Sequence, residues 1–344
     1  MPLTTRRRNR FRLASAVFGV ASCFAVLAGT SAYAESAYFR IGTGASGGTY
    51  FPIGGLIANA VSNPPGSRPC DRGGSCGVPG LIAVAVSTQG SVENVDAVAK
   101  GDLESGLSQS DIAHWAYHGT GIYRNKGKAT TLRAIANLYP ESLHLVVRRD
   151  AGIEKVGDLK GKRVSVGPEE SGTRVHAGIV LEAHGLKIRD IVPHYLRPGP
   201  AGDMLRAGKI DAFFFVAGYP APAIAALADD IDIALIGIDT ATVARIRSRF
   251  PFFSGAVIPA GVYRGVDETW TLSVGALWIV SANVDAEIVY GLTRALWHEN
   301  TRRLLDRGHN EGKKIRLETA LEGISIPLHP GAERYYREVG VLPE

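Results

Sequence analysis

The chain of 344 residues has only three cysteines, two methionines and no excess of charge once its first segment is set aside. Residues 1–34 carry five arginines and no acid, whereas the remainder has 33 basic and 33 acidic residues. Basic stretches such as Lys160–Arg163 lack interleaved aromatic residues, which argues against a nucleic-acid surface. The apolar run Leu13–Ala28 has 16 residues, fewer than the roughly 20 that a membrane span needs.

The sequence also lacks internal repeats, low-complexity segments and a flexible linker between two halves. Hydrophobic residues make up 45% of the chain and charged residues 21%, which excludes a disordered, collagen-like or coiled-coil protein. At roughly 150 residues per domain, the length predicts two domains. The 41 glycines are about 12% of the chain, against a usual level of roughly 7%, and predict many tight turns.

The first 34 residues have the pattern of an export signal. Five arginines precede the apolar run, and Ala32–Ala34 is the small-x-small sequence that signal peptidase accepts. We therefore predict cleavage before Glu35 and a periplasmic location. Two variants stay open: a lipid on Cys23, which follows a lipobox-like Val-Ala-Ser, and twin-arginine export through Arg7 and Arg8.

The exported part of the chain keeps two cysteines, Cys70 and Cys76. In an oxidising compartment, a close pair with no third ligand nearby indicates a disulfide and not a metal site. We predict that this disulfide holds the loop rich in glycine and proline at Asn63–Gly80.

From Tyr38 onward, short apolar runs alternate with amphipathic stretches, which predicts an α/β protein with a largely parallel sheet. The predicted strands are 38–42, 81–87, 103–108, 132–138, 143–148, 163–166, 191–196, 212–216, 231–236 and 272–280. Because no linker separates two halves, we expect the chain to cross between two lobes near Tyr139–Arg149 and to return near Pro259–Gly265.

Gly42–Gly48 matches two familiar motifs. Gly42-x-Gly44-x-x-Gly47 has the spacing of a dinucleotide-binding turn, but the next strand ends without the acid that would hold a ribose. Gly44-x-Ser46-x-Gly48 matches the nucleophile elbow of serine hydrolases, although no spacing ties a histidine to Ser46. An exported serine hydrolase using Ser46 therefore stays an alternative, and we expect no cofactor.

What the two motifs share is a glycine-rich turn at a helix N-terminus, where free amides and the helix dipole bind anions. The same chemistry recurs in Gly167–Arg174 and, more weakly, in Ser87–Asn94. Three such turns in separate strand-helix units favour a cleft for a small anion. His114 and His118 are four residues apart on a predicted helix, but a metal site needs three or four ligands, so we predict none.

Taken in order along the chain, these turns and several further motifs resemble the TAXI group of solute-binding proteins from tripartite, ATP-independent periplasmic (TRAP) transporters. The motifs that carry the resemblance are Ile41–Gly44, Gly47–Tyr50, Ser75–Gly80, Gly90–Asn94, Gln109–Asp111, Leu138–Glu141, Asp158–Val164, Ser171–Arg174, Asp211–Phe214 and Ile326–Ala332.

The resemblance implies a type II periplasmic binding protein with two α/β lobes joined by crossing hinge strands. Lobe I would comprise 35–140 and 262–344, and lobe II 141–261. Such a receptor is no enzyme. It is a monomer that closes around one small carboxylate, such as glutamate or 2-oxoglutarate, and delivers it to TRAP permease subunits in the membrane.

The candidate ligand-binding residues follow from the turns and the resemblance together. Lobe I would hold one end of the solute, and lobe II would cap a carboxylate. The candidates are Thr43, Ser46, Thr49, Tyr50, Ser91, Asn94 and Gln109 in lobe I, and Ser171, Gly172, Thr173 and Phe215 in lobe II. Related receptors often clamp the carboxylate with an arginine, and Arg174 is the candidate for that role here.

Overall fold

The computed structural model describes residues 37–343, so the export signal predicted at 1–34 and Cys23 lie outside the described residues. The strands are β1 (Ala37–Gly42), β2 (Ser62–Asn63), β3 (Val78–Pro79), β4 (Leu81–Val86), β5 (Ser105–Gln109), β6 (Leu132–Arg148), β7 (Arg163–Ser165), β8 (Val192–His194), β9 (Ala212–Ala217), β10 (Ile233–Leu235), β11 (Ser254–Ile258) and β12 (Thr269–Ser281). The helices are α1 (Tyr50–Val61), α2 (Ser91–Lys100), α3 (Ser110–His118), α4 (Gly172–Ala183), α5 (Pro198–Arg206), α6 (Pro222–Asp230), α7 (Thr240–Arg249), α8 (Ala286–Leu296), α9 (Glu299–Gly308) and α10 (Pro330–Glu338).

Ten of the described strands form one sheet in the order β4-β1-β5-β12-β6-β9-β7-β8, with β10 beside β6 and β11 beside β12. The strands β4, β1 and β5 are mutually parallel, and so are β9, β7 and β8. The long strands β12 and β6 run antiparallel to their neighbours in the middle. The sheet is therefore parallel at each end and antiparallel at its centre.

Two groups of helices pack on the two ends of this sheet. The helices α1–α3 and α8–α10 lie with β4, β1 and β5, and we call this half lobe I. The helices α4–α7 lie with β9, β7 and β8, and we call this half lobe II. The mixed α/β, two-lobed architecture predicted from the sequence is confirmed.

The strands β6 and β12 are shared between the lobes. Tyr139 on β6 packs in a core of lobe I, and Leu143 packs in a core of lobe II. On β12, Val274 packs with lobe II and Ala276 with lobe I. Each strand therefore passes from one hydrophobic core to the other within a few residues.

Local signals fix several helix starts. The hydroxyl of Ser171 accepts a hydrogen bond from the Arg174 amide, as an N-cap does. His329 caps α10 through its ring nitrogen, which accepts from the Gly331 amide, and Pro330 occupies the first turn. The motif at 329–331 is thus a helix start. Among residues 37–343, no helix is both long enough and apolar enough for a membrane span.

The predicted disulfide between Cys70 and Cys76 is confirmed. It lies in the loop that joins β2 to β3, and Asn300 at the start of α9 donates a hydrogen bond to the Cys76 sulfur. The loop is thereby fixed against the C-terminal helices of lobe I.

Candidate functional site

A cavity lies between the two lobes, where strands end and helices begin. Its volume is about 40 Å³, and a buried water needs roughly 10–15 Å³ on this measure. The cavity in this conformation therefore suits a small solute. Its lining comes from the turn before α1 and the first residue of that helix, from 89–91, from Gln109 and Glu141 at the sheet, from Pro168 and 171–173, from Pro198 and from 215–217.

The polar side chains around the glycine-rich turn at the start of α1 fall into two groups: some line the cavity, and others form buried hydrogen bonds behind it. Thr49 and Tyr50 line the cavity. The Thr43 hydroxyl donates to the Val86 carbonyl at 2.7 Å, and the side-chain amide of Asn94 donates to the Thr43 carbonyl at 2.6 Å. Thr43 and Asn94 are fully buried and lie behind the cavity wall.

Ser46, at the tip of this turn, is exposed and does not line the cavity. Its side chain forms no hydrogen bond to a histidine among the residues that the structure describes. The geometry thus adds nothing to the hydrolase alternative.

Ser91 and Gln109 form the next part of the lobe I wall. The backbone amide of Gln109 donates to the Ser91 hydroxyl at 3.1 Å, which ties the end of β5 to the start of α2. Both side chains line the cavity. Gln109 is 3% exposed, and its Oε1 has no hydrogen-bond partner within 37–343.

The wall from lobe II is the N-terminus of α4. The Ser171 hydroxyl donates to the Pro168 carbonyl at 2.7 Å and accepts from the Arg174 amide. The Thr173 hydroxyl accepts from the Val216 amide at 3.1 Å. The amides of Gly172 and Thr173 have no protein partner among the described residues, so this wall offers backbone N–H groups.

Gly172 and Phe215 complete the lobe II wall. A Cβ atom on Gly172 would overlap the Gln109 side chain, and one on Gly48 would come within 2.9 Å of the Phe215 ring. Only glycine at both positions lets the two walls approach this closely.

Arg174 does not line the cavity. Its side chain is exposed, and its guanidinium lies 5.7 Å from the centre of the Tyr195 ring. Of the candidates from the sequence, Thr49, Tyr50, Ser91, Gln109, Ser171, Gly172, Thr173 and Phe215 line the cavity, whereas Thr43, Ser46, Asn94 and Arg174 do not.

Glu141 also lines the cavity and was not among the candidates. Glu141 is 2% exposed, and its carboxyl group accepts a hydrogen bond from the Tyr50 hydroxyl at 2.7 Å. Burial raises the pKa of Glu141 to about 8, while hydrogen bonds from Tyr50 and Gln109 oppose that rise. The one sequence signal was its place in the motif Leu138–Glu141, which does not say where the side chain points.

Several hydrogen bonds hold the lobes closed around the cavity. Asp111 of lobe I and His176 of lobe II, both buried, lie 2.8 Å apart. The Gly218 amide donates to the Thr49 hydroxyl at 3.0 Å, and the Ala223 amide donates to the Gly47 carbonyl at 3.0 Å. The described conformation is therefore a closed one.

The two histidines of α3 have structural contacts in this fold. A ring nitrogen of His114 lies 3.0 Å from the Ser325 hydroxyl, and one of His118 lies 3.3 Å from the Ser325 carbonyl oxygen. They fasten α3 to the segment that precedes α10.

Two α/β lobes closed over a cavity are the architecture of two-lobed binding proteins. Within that class, the chain belongs to the NMT1-like family, whose family model matches residues 41–340.

The solved structures to which this chain is similar are distant in sequence. A protein from Bordetella bronchiseptica RB50 is 18% identical over 90% of each chain, with a TM-score of 0.52. The alkanesulfonate-binding protein SsuA from Xanthomonas axonopodis pv. citri, bound to MOPS, is 17% identical over 90% of this chain and 81% of its own, with a TM-score of 0.47. The periplasmic aliphatic sulphonate binding protein SsuA from Escherichia coli is 13% identical over 87% and 82%, with a TM-score of 0.43. At these identities the likeness is one of fold alone.

Proposed function

We propose that the protein is an extracytoplasmic solute receptor that closes its lobes around one small carboxylate, such as an acidic amino acid or a dicarboxylate like glutamate or 2-oxoglutarate. The observation that carries this proposal is the pair of free amides at Gly172 and Thr173, which face a closed cavity. Free amides at a helix N-terminus bind carboxylates through hydrogen bonds and the helix dipole.

Closure provides the signal in this proposal. Solute that touches both walls stabilises the closed state by its extra contacts there, which shifts the lobes toward closure. The lobes would be 35–140 with 262–344, and 141–261, as the sequence predicts.

The membrane partner in this proposal is a TRAP permease of the TAXI type. It is supported by the ordered motifs from Ile41 to Ala332. The exported receptor works as a monomer in the periplasm, released by cleavage after Ala34. It carries the solute to the permease and performs no chemistry on it.

Thermal unfolding of the purified protein against acidic amino acids, dicarboxylates and 2-oxo acids tests the proposal. A solute at a hundred times its Kd adds about 2.7 kcal/mol and should raise the Tm by at least about one degree. The panel is repeated on protein unfolded and refolded to remove any ligand carried through purification. No shift with any of these solutes after refolding would contradict the proposal.

A double variant tests the assigned wall. Ser171→Ala with Thr173→Ala should weaken binding while the fold persists, because both hydroxyls hold the free amides in place. The matched control is Thr240→Ala with Ser248→Ala on α7 of the same lobe, where both side chains are exposed. Equal affinity in the two double variants would contradict the site assignment.

A further inference from the structure

The cavity has two ends of opposite electrostatic character. At one end, the free amides of Gly172 and Thr173 point from the N-terminus of α4. This end is positive because the helix dipole adds to the unpaired N–H groups. It suits the carboxylate of the proposed function.

The other end, at the sheet, presents hydrogen-bond acceptors, and the Gln109 side chain reaches from Glu141 to Gly172, against which its Oε1 lies. The Glu141 carboxyl and the unpartnered Oε1 of Gln109 both belong to buried residues that line the cavity. No lysine, arginine or histidine lines the cavity within residues 37–343. A solute that reaches this end must supply the missing donors, because buried acceptors without a partner are costly.

The nearby basic side chains already have acidic partners. His176 on α4 faces Asp111 on α3, and Lys314 lies 2.9 Å from Glu311 in the helical turn that follows α9. Asp111 and Glu311 add their negative charge around Glu141 and raise its pKa further.

The remaining titratable groups around Glu141 are Tyr50 on α1 and Tyr139 on its own strand. Burial raises the pKa of both phenols well above the usual value. Both therefore stay neutral, and Tyr50 remains a hydrogen-bond donor. Glu141 thus has no cationic partner among the described residues, and its raised pKa of about 8 favours the protonated form at neutral pH.

We propose that the solute is a zwitterion, whose carboxylate lies at the N-terminus of α4 and whose ammonium group binds Glu141 and Gln109. The inference rests on the proposed function and narrows its solute class to amino acids, against dicarboxylates. Glu141 is then the residue that selects for the amino group.

Binding of an ammonium group requires Glu141 to lose its proton. Between pH 6 and 7.5 the affinity for an amino acid should therefore rise with pH, by up to about tenfold per unit. A dicarboxylate would need Glu141 to stay protonated as a donor. Its affinity would be level over the same range and fall above pH 8.

Matched pairs of solutes test the inference by isothermal titration calorimetry. The pairs are L-glutamate with glutarate, L-alanine with propionate, and L-leucine with 4-methylpentanoate, in each of which only the amino group differs. At least one amino acid should bind about tenfold or more tightly than its partner, with an affinity that rises from pH 6 to 7.5. In Glu141→Gln this preference and this pH dependence should be lost.

Glu287→Gln is the matched control, because Glu287 lies on α8, is exposed and pairs with Arg334. Its solute binding should equal that of the wild type. If Glu141→Gln folds poorly, the wild type still provides a test through titrations at pH 7 in two buffers of different ionisation enthalpy. We expect release of about one proton per amino acid bound.

Two other results would overturn the inference that the solute is a zwitterion. Glutarate binding as tightly as L-glutamate, or binding with no proton release, would remove the role of Glu141 while leaving a carboxylate receptor in place. If no compound of the three pairs and no solute of the wider carboxylate panel binds, the proposed function fails together with the inference.

Discussion

The two walls of the cavity use different parts of the chain. Lobe II contributes backbone: the hydroxyls of Ser171 and Thr173 are occupied by protein partners, and free amides remain. Lobe I contributes side chains, above all Glu141, Gln109 and Tyr50. A wall made of amides depends on the course of the backbone, whereas a wall made of side chains depends on residue identity. Substitutions in lobe II should therefore affect binding when they alter the course of the backbone. Substitutions in lobe I should affect it when they change the functional group of a side chain.

The largest effect is expected from the lobe I acid, in the dependence of stability on pH. The pKa of Glu141 is raised to about 8 from an ordinary value of 4.5, so the folded state favours the protonated form. The contribution of Glu141 to stability is then greatest below about pH 4.5 and falls as pH rises toward 8, above which it levels off. At about 1.4 kcal/mol per pKa unit, the loss between pH 5 and pH 8 is on the order of several kcal/mol.

Urea unfolding at pH 5 and pH 8 measures this loss in the wild type and in Glu141→Gln. The variant cannot ionise, so the wild type should lose more free energy of unfolding than the variant across this interval. The difference between the two proteins isolates Glu141 from other titrating groups. Parallel losses would mean that Glu141 ionises normally and that the lobe I wall carries no special acid.

The next effect is expected from the lobe II wall, in Gly172→Ala. The new methyl group would overlap the Gln109 side chain, which lies against Gly172, and overpacking of this kind costs about 1–3 kcal/mol. Solute affinity should fall about 10- to 100-fold. The control is Gly178→Ala in the same helix, where nothing lies within 4 Å of the added atom. Equal binding in both variants would mean that the walls do not close as described.

The fold was predictable where chain pattern and burial agree. The strands that lead into glycine-rich turns, such as β1 and β7, were predicted correctly, because in each case a short apolar run is followed by a turn and a helix. The centre was harder. The strand β6 looks like two because Pro140, Glu141 and Ser142 interrupt its apolar pattern, yet they are a continuous part of the strand where it crosses between the lobes.

The strand β11 was missed, because Ser254 and Gly255 give it a weak strand pattern, and it pairs only with β12 among the described strands.

The site was predictable to the level of its turns. The predicted turns lie before α1, α2 and α4, and most of the cavity lining comes from these turns and helix starts. Sequence could not tell which polar side chains face the solute. Asn94 and Ser91 lie on the same helix, but the side-chain amide of Asn94 donates to two backbone carbonyls behind the cavity wall. Glu141 was not predicted as a site residue, because whether a strand residue faces the cavity depends on how the two lobes pack.

A smaller effect is expected from Tyr50→Phe in lobe I. The Tyr50 hydroxyl donates to Glu141 at 2.7 Å, and a hydrogen bond of this kind contributes about 1 kcal/mol. Solute affinity should fall about fivefold, and the pKa of Glu141 should rise further because this bond lowers it. The matched control is Tyr38→Phe, because Tyr38 is 69% exposed. An unchanged affinity in both variants would limit the lobe I wall to Glu141 and Gln109.

The smallest effect is expected from Arg174→Ala. Arg174 provides the backbone amide that Ser171 caps, but its guanidinium lies over Tyr195, outside the cavity. The substitution keeps the amide and removes only the side chain, so affinity should change less than about twofold, as expected for an exposed charge. Calorimetry on the best solute measures it. A large loss would mean that a lobe II side chain grips the solute, so that the walls do not divide between backbone and side chain as argued. If Arg174→Ala binds the solute as tightly as the wild type, the amides of Gly172 and Thr173 are left as the anion-binding groups of lobe II.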